Sequence, residues 1–339
     1  MAYTVVVIGD QFIPASSYVA EYERVRPTLE GLGDVDLRVV DWEASKAEQH
    51  RLQQVMEHQG ANAVEAPAEI LDAVRSADAI VMHFAPVNAQ VLRAAPALKA
   101  VVVARAGLEN VDQQTAEERG VFVSGVAGRN ARAVAELAIG LMLAECRNIA
   151  RADRSIKAGQ WRKDFPVPMV ELGESTIGII GWGHVARRLA EKIRGLAGRI
   201  IVHDPYVDES DVAALGGQLV GFDEVFREAD FVHVMARLSP ETERFIGREQ
   251  FALMKPTAYF INTARSRLVN YDDLLHALQN GLIAGAGLDV YDEEPLPVDS
   301  PWRALDNVTL TTHYGGDTTG TNKVSARLVF EVLAHFRQR

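Results

Sequence analysis

The sequence predicts an α/β protein made of two doubly wound parallel-sheet halves. Three observations carry this. Short runs rich in Val and Ile recur along the chain. Most are apolar at consecutive positions, the pattern of strands buried on both faces of a parallel sheet. The strand–helix alternation runs twice, separated by one long apolar helix, and 339 residues are too many for one compact core but suit two.

The first half takes its strands in order from "YTVVVIGD" at Tyr3, "VDLRVVDW" at Val35, "AIVMHF" at Ala79, "AVVVARAG" at Ala100 and "VFVSGV" at Val121. The polar, helix-prone stretch from Glu43 to Ala66 reads as an exposed elaboration. One long helix follows from Asn130, "NARAVAELAIGLMLAECRNIARA". It is apolar nearly all round from Ala133 to Met142, which fits either a core helix or a subunit interface. The second half runs through "STIGIIG" at Ser175, "GRIIVHD" at Gly198, "DFVHVMA" at Asp230, "AYFINTA" at Ala258, "AGAGLDV" at Ala284 and "NVTLTTH" at Asn307. An amphipathic helix, "NKVSARLVFEVLAHFRQR", comes last.

Composition narrows the function classes. The chain is 48% hydrophobic and 24% charged, ordinary for a soluble globular protein. A net charge of -11 disfavours nucleic-acid backbones and anionic membranes as partners. The single cysteine, Cys146, excludes an internal disulfide and a cysteine-rich metal site, and no other metal-ligand spacing is present, so no metal is expected. The N-terminus lacks the basic segment and full apolar core of a secretory signal, and no apolar run approaches the roughly 18 residues of a membrane span. The expected setting is cytoplasmic.

The strongest local motif follows the strand "TIGII". Gly181, Gly183 and Ala186 in "GWGHVARRLAEKI" fit G-x-G-x-x-G/A. The first glycine permits a tight turn, the second lets backbone approach a pyrophosphate, and the small third residue lets helix pack on strand. The phosphates would meet the free N–H groups of the helix start, around His184 and Val185, where backbone matters more than the imidazole. Asp204 ends the next strand, roughly 20 residues on, where a carboxylate grips ribose hydroxyls. It would repel a 2′-phosphate, so NAD is favoured over NADP.

Three later strands each end in a chemically capable residue. "INTARS" supplies Arg265, "LDVYDEEP" an acid cluster, and "LTTHYGG" His313. In a parallel sheet these ends share one edge. Arginine holds a carboxylate bidentately. Histidine exchanges a proton near neutral pH, and a carboxylate beside it orients the ring. The set suits oxidation or reduction at a carbon next to a carboxylate.

These residues sit in stretches that resemble the D-isomer-specific 2-hydroxyacid dehydrogenase family: "GVAGRNARAVAELAIGLML", "IGIIGWGHVARRLA", "LSPETERFIG", "LMKPTAYFINTARSRLVN", "GAGLDVYDEEPLP" and "NVTLTTHYGG". The resemblance runs from Ala79 onward and is weak before it. It implies a Rossmann nucleotide-binding domain, 130–314, inserted in a discontinuous flavodoxin-like substrate domain, 1–129 and 315–339, with the C-terminal helix packed on the N-terminal sheet. It implies NAD as cofactor, a small 2-hydroxy or 2-keto acid as substrate, and a homodimer. By residue, it implies Arg265, Glu294 and His313 as catalytic, and Asp289 near the nicotinamide amide. Ala236, Arg237, Thr242, Thr263 and Ala264 take cofactor-lining positions. Backbone of Arg105, Ala106 and Gly107 matches the loop that holds the substrate carboxylate. Asp292 and Glu293 are left as solvated loop charges. The chain departs from the family pattern at Ser266, where glycine is common, at Thr312, where proline is usual, and at Arg237, where proline is common. Arg267 is either a receptor for a second anionic group or a solvated cation.

Two rival readings remain at this stage. The related formate dehydrogenases pair their histidine with glutamine, and Glu294 argues against them. A NAD(H)-sensing binding protein, resembling the C-terminal-binding corepressors, is the alternative from another class; the complete Arg/Glu/His set favours an enzyme. Among other histidines, His83 ends a strand and is the reserve acid/base candidate, whereas His233 reads as core.

Overall fold

The computed structural model describes residues 3–42, 44–165, 167 and 169–338, so Glu43, which opens the expected elaboration, lies outside the described residues. By its contacts the chain divides into two compact units, Met1–Arg129 with Thr318–Arg339, and Asn130–Asp317.

Unit 1 holds a five-stranded sheet of β1 (Tyr3–Gly9), β2 (Val35–Asp41), β3 (Ala79–Met82), β4 (Ala100–Val103) and β5 (Phe122–Gly125), in the order β2-β1-β3-β4-β5. All pairings are parallel. The inner strands β1, β3 and β4 are buried at every position. The edge strands are not: β2 and β5 have one open flank, so their apolar runs overstate their burial. Helix Thr319–Arg337 closes one face, with Val329, Phe330 and Leu333 packed among Val5, Val7, Tyr18 and Tyr22. The elaboration forms helix Lys46–Gln59, and Gln49 and Met56 are buried, so it is tied into the unit.

Unit 2 holds seven strands: β6 (Thr176–Ile180), β7 (Arg199–His203), β8 (Gly217–Leu219), β9 (Phe231–Val234), β10 (Tyr259–Asn262), β11 (Gly285–Leu288) and β12 (Val308–Leu310). Their order is β12-β11-β10-β9-β6-β7-β8, again parallel throughout. Strand β8 escaped the sequence reading because its three residues, "GQL", carry no apolar run.

The long helix expected from Asn130 is two. Ala131–Cys146 ends at Arg147, and Ile149–Lys157 starts after Asn148 in left-handed backbone (φ 52°), a conformation asparagine tolerates. The first helix lies close on β11. A Cβ at Gly287 would sit 2.8 Å from Leu141 Cβ, and one at Gly285 would sit 2.6 Å from Glu145 Oε2. The glycine-spaced "AGAG" is therefore a close-packing surface. Only one face of the helix is covered: Ala135, Ala138, Leu141 and Met142 are buried, while Arg132, Glu136 and Gly140 are exposed. Among the described residues no helix is long and apolar enough to cross a membrane, and no group of acidic, histidine and cysteine side chains is placed to hold a metal.

Candidate active site

Unit 2 presents a continuous row of loops at the carboxyl edge of its sheet. The strand order reverses between β6 and β9, the position where open α/β sheets take their ligands. After β6, Gly181 has φ +93°, and a Cβ there would lie 2.6 Å from the backbone of Ala236, so only glycine fits. At Gly183 a Cβ would meet nothing within 4 Å, which leaves open space before helix His184–Ile193. That helix has no side-chain cap, and its first free backbone N–H groups, at His184, Val185 and the buried Ala186, face no protein acceptor among the described residues. An uncapped helix start beside open space is a ready anion site.

Asp204, just beyond β7, stands against this loop. One of its oxygens accepts from Trp182 N at 2.7 Å and the other from Tyr206 N at 2.9 Å. After β9 come Ala236 and the exposed Arg237. Thr242 braces this loop, its hydroxyl accepting from Ser239 N at 2.8 Å and donating to Arg237 O at 2.8 Å. After β10 come Thr263 and Ala264. Thr263 Oγ1 is buried with no protein partner, as is Trp182 Nε1. Orphaned polar atoms on the same sheet edge as a free helix start fit a polar dinucleotide such as NAD.

The proton-transfer candidates lie on neighbouring strands. Asn262, Leu288 and Leu310 form one row across β10, β11 and β12. The chain leaves that row into Thr263–Arg265, Asp289–Glu294 and Thr311–His313. Arg265, Glu294 and His313 line one open cavity of about 290 Å³ with Tyr291, Asp292 and Arg267. His313 Nδ1 is 2.7 Å from Glu294 Oε2. The other oxygen of Glu294 accepts from Tyr291 N at 2.9 Å, which fixes the carboxylate. A carboxylate on Nδ1 places a proton there and leaves Nε2 free for a ligand. Arg265 has no carboxylate partner among the described residues; one of its nitrogens donates to Ala264 O at 2.7 Å. Arg267 is instead paired with Glu243 at 2.8 Å. Asp292 and Glu293 are exposed.

His313 has φ +53°, left-handed backbone that a non-glycine residue adopts at a cost. Asp289 holds it there. Its carboxylate, 2% exposed, accepts from Thr311 Oγ1 at 2.6 Å, Tyr314 N at 3.2 Å and Gly315 N at 3.0 Å. Asp289 thus anchors the histidine loop, a role the sequence did not suggest.

Other supporting residues were missed as well. Asn262, fully buried, accepts from Ala264 N at 3.0 Å and donates to Arg265 O at 3.1 Å and Tyr271 Oη at 3.3 Å. Tyr271 in turn donates to Val290 O at 2.6 Å, and Tyr291 Oη to Thr311 O at 2.7 Å. Burial raises both phenols, so they stay neutral donors. The one available signal was a buried-strand run that ends in asparagine.

In unit 1, the loop of Arg105, Ala106 and Gly107 follows β4, and none of its three backbone N–H groups meets a protein acceptor among the described residues. The reserve candidate His83 is 2% exposed and stacks on Phe84, ring centroids 3.8 Å apart. Burial lowers it below the usual histidine range, so it is neutral. His233 is fully buried and pushed down to about 3 by burial, a core residue.

Residues 139–315 match a family model described as the NAD-binding domain of D-isomer specific 2-hydroxyacid dehydrogenases. Over 274 residues the chain is 35% identical to a glyoxylate reductase of Korarchaeum cryptofilum, covering 79% of this chain and 82% of that protein. It is 37% identical over 268 residues to a D-3-phosphoglycerate dehydrogenase of Methanocaldococcus jannaschii, covering 78% of this chain but 51% of that protein, so it spans about half the relative's length. Among solved structures, the NAD-complexed D-isomer specific 2-hydroxyacid dehydrogenase of Lactobacillus delbrueckii ssp. bulgaricus shares the fold. It gives a TM-score of 0.75 at 21% identity over 99% of this chain and 96% of that one.

Proposed function

The chain belongs to the D-isomer specific 2-hydroxyacid dehydrogenase family, and from that premise we propose that it interconverts a D-2-hydroxy acid and its 2-keto acid, with His313, Glu294 and Arg265 as the catalytic set. It is an NAD-dependent oxidoreductase by family. When bound, NAD supplies the hydride acceptor or donor. Its proposed holders are the loop Gly181–Ala186, Asp204, Ala236, Arg237, Thr242, Thr263, Ala264 and Asp289. Asp289 acts partly through the histidine loop it anchors.

The single observation that carries the reading is the 2.7 Å contact between His313 and Glu294 in the same cavity as Arg265, which has no carboxylate partner among the described residues. Glu294 holds the ring with Nε2 outward. His313 gives a proton from Nε2 to the substrate oxygen during reduction and takes it back during oxidation. Arg265 binds the substrate and polarises its carbonyl. The N–H groups of Arg105, Ala106 and Gly107, without protein acceptors among the described residues, are of the kind that receives a carboxylate.

The test is a panel of glyoxylate, hydroxypyruvate and 3-phosphohydroxypyruvate assayed with NADH and NADPH. At least one acid should turn over, with kcat/KM for NADH roughly tenfold or more above that for NADPH, because Asp204 repels a 2′-phosphate. No turnover of any 2-keto acid would sink the reading, and equal use of both cofactors would sink the role of Asp204.

A homodimer is supported by the exposed face of Ala131–Cys146 and by Ile149, Ile156, Trp161 and Met169 after it, all at least half exposed. A monomeric mass by light scattering at micromolar concentration would refute it. A net charge of -11 disfavours binding to nucleic-acid backbones and anionic membranes.

A further inference from the structure

Helix Lys46–Gln59 adds little to the core of unit 1, since just two of its 14 residues are buried. It lies before Ala79, in the stretch where the family resemblance is weak. It is nevertheless fastened to the loops at the carboxyl edge of the sheet. Gln49 accepts from Gln11 N at 2.8 Å, beyond β1, and donates to Trp42 O at 2.7 Å, beyond β2. In its last turn, Glu57 Oε1 accepts from Arg105 Nη2 at 2.8 Å, beyond β4.

Arg105 is held on several sides. The same Nη2 donates to Glu109 at 3.0 Å, the guanidinium lies 5.5 Å over the Phe84 ring, and the side chain is 11% exposed. The clamp lies close to the main chain of the loop. A Cβ at Gly107 would lie 2.3 Å from Glu109 Oε2 and 2.7 Å from Arg105 Nη2. A Cβ at Gly125 would lie 2.4 Å from Arg105 O. The loop that carries the three N–H groups is therefore closely packed by its neighbours. Donors that must meet an anion work best when the loop carrying them is fixed in advance.

We propose that Glu57 is a positioning residue for the substrate: it fixes the Arg105 guanidinium, and through it the backbone of Arg105–Gly107, in the form that receives the carboxylate of the 2-keto acid. This rests on the reading of that loop as the carboxylate site. Helix Lys46–Gln59 is then a specificity element, able to set how tightly a keto acid is held without touching the proton-transfer residues. The opposite view is that Glu57 merely neutralises Arg105. In that case its removal would free a cation and tighten an anionic substrate.

The experiment is steady-state reduction of glyoxylate, or the faster acid of the panel, by full-length protein. Glyoxylate is a good probe because a carboxylate and one carbonyl are all it offers. Glu57→Ala keeps a good helix former at a half-exposed position, so folding should survive. It should raise KM for the keto acid roughly tenfold, the scale of effect for a displaced positioning group, with kcat and KM for NADH within about twofold of wild type. Glu57→Gln keeps the acceptor oxygen and should recover most of the loss. An unchanged or lowered keto-acid KM in an active Glu57→Ala enzyme overturns the proposal, as does an equal loss in kcat and NADH affinity. A wild-type enzyme inactive on every acid overturns the functional reading, and this one with it.

Discussion

Each parallel sheet ends in a histidine beside a carboxylate, yet the two pairs differ in every respect that matters for chemistry. In unit 1, His83 Nδ1 stands 3.3 Å from Asp10 Oδ2, with the side chains 3% and 1% exposed. Asp10 already accepts from the backbone of Phe12, Ile13 and Phe84. Its charge is committed to three amides in two loops, and burial outweighs it in holding His83 neutral. In unit 2 the separation is 2.7 Å, His313 is 45% exposed, and Glu294 spends its second oxygen on one amide. A neighbouring carboxylate therefore does not make an acid/base residue. The carboxylate must have capacity to spare, and the ring must keep one nitrogen open to a ligand.

The sharpest break between the pairs is functional. His313→Ala should lower kcat roughly 10²–10⁴-fold while leaving NADH affinity near wild type, measured by turnover and by fluorescence titration. A variant with near wild-type kcat would reopen the assignment. Glu294→Gln should lower kcat by roughly 10- to 100-fold, the range for losing an orienting partner. Reduction draws a proton from His313 Nε2 and oxidation returns one to it, so both directions should fall together in either variant. A Glu294→Gln enzyme with wild-type kcat would count against the pairing.

The buried histidines should reveal themselves in stability instead. Burial lowers both His83 and His233 in the folded chain, so the unfolded chain takes up the protons first. Their contribution is complete above about pH 6.5 and is lost as pH falls below it, by about 1.4 kcal/mol per pH unit for each fully neutral histidine. Urea midpoints between pH 7 and 4.5 should fall accordingly, and His233→Asn should flatten the slope. The smallest effect expected is on catalysis by His83→Asn, whose pH–rate profile should coincide with wild type. A displaced profile would dissolve the contrast between the pairs.

Much of the frame was legible because burial on two faces leaves unbroken apolar runs, as in "VVVIG" and "TIGII". What failed to show were elements with no such run: β8 at the sheet edge, and the helix break at Asn148, where one left-handed residue decides. The glycine loop and the residues Arg265, Glu294 and His313 stood out because strand ends in a parallel sheet share an edge. Their supports did not. Asn262, Tyr271 and the anchoring role of Asp289 rest on contacts set by loop geometry, and Glu57 meets Arg105 across 48 positions of sequence. No local pattern encodes such pairings, and the helix that carries Glu57 looked like solvent-facing decoration.

The anchoring of the histidine loop by Asp289 bears on motion. The amides of Tyr314 and Gly315 sit in a loop, next to a half-exposed imidazole, yet both donate to a carboxylate that is 2% exposed. To trade their hydrogens with solvent they must leave a buried anion without its donors, an opening far costlier than the fraying of an ordinary surface turn. In deuterium exchange these two amides should outlast their loop neighbours, which would mark the histidine's perch as part of the rigid frame of unit 2 and not as a moving gate.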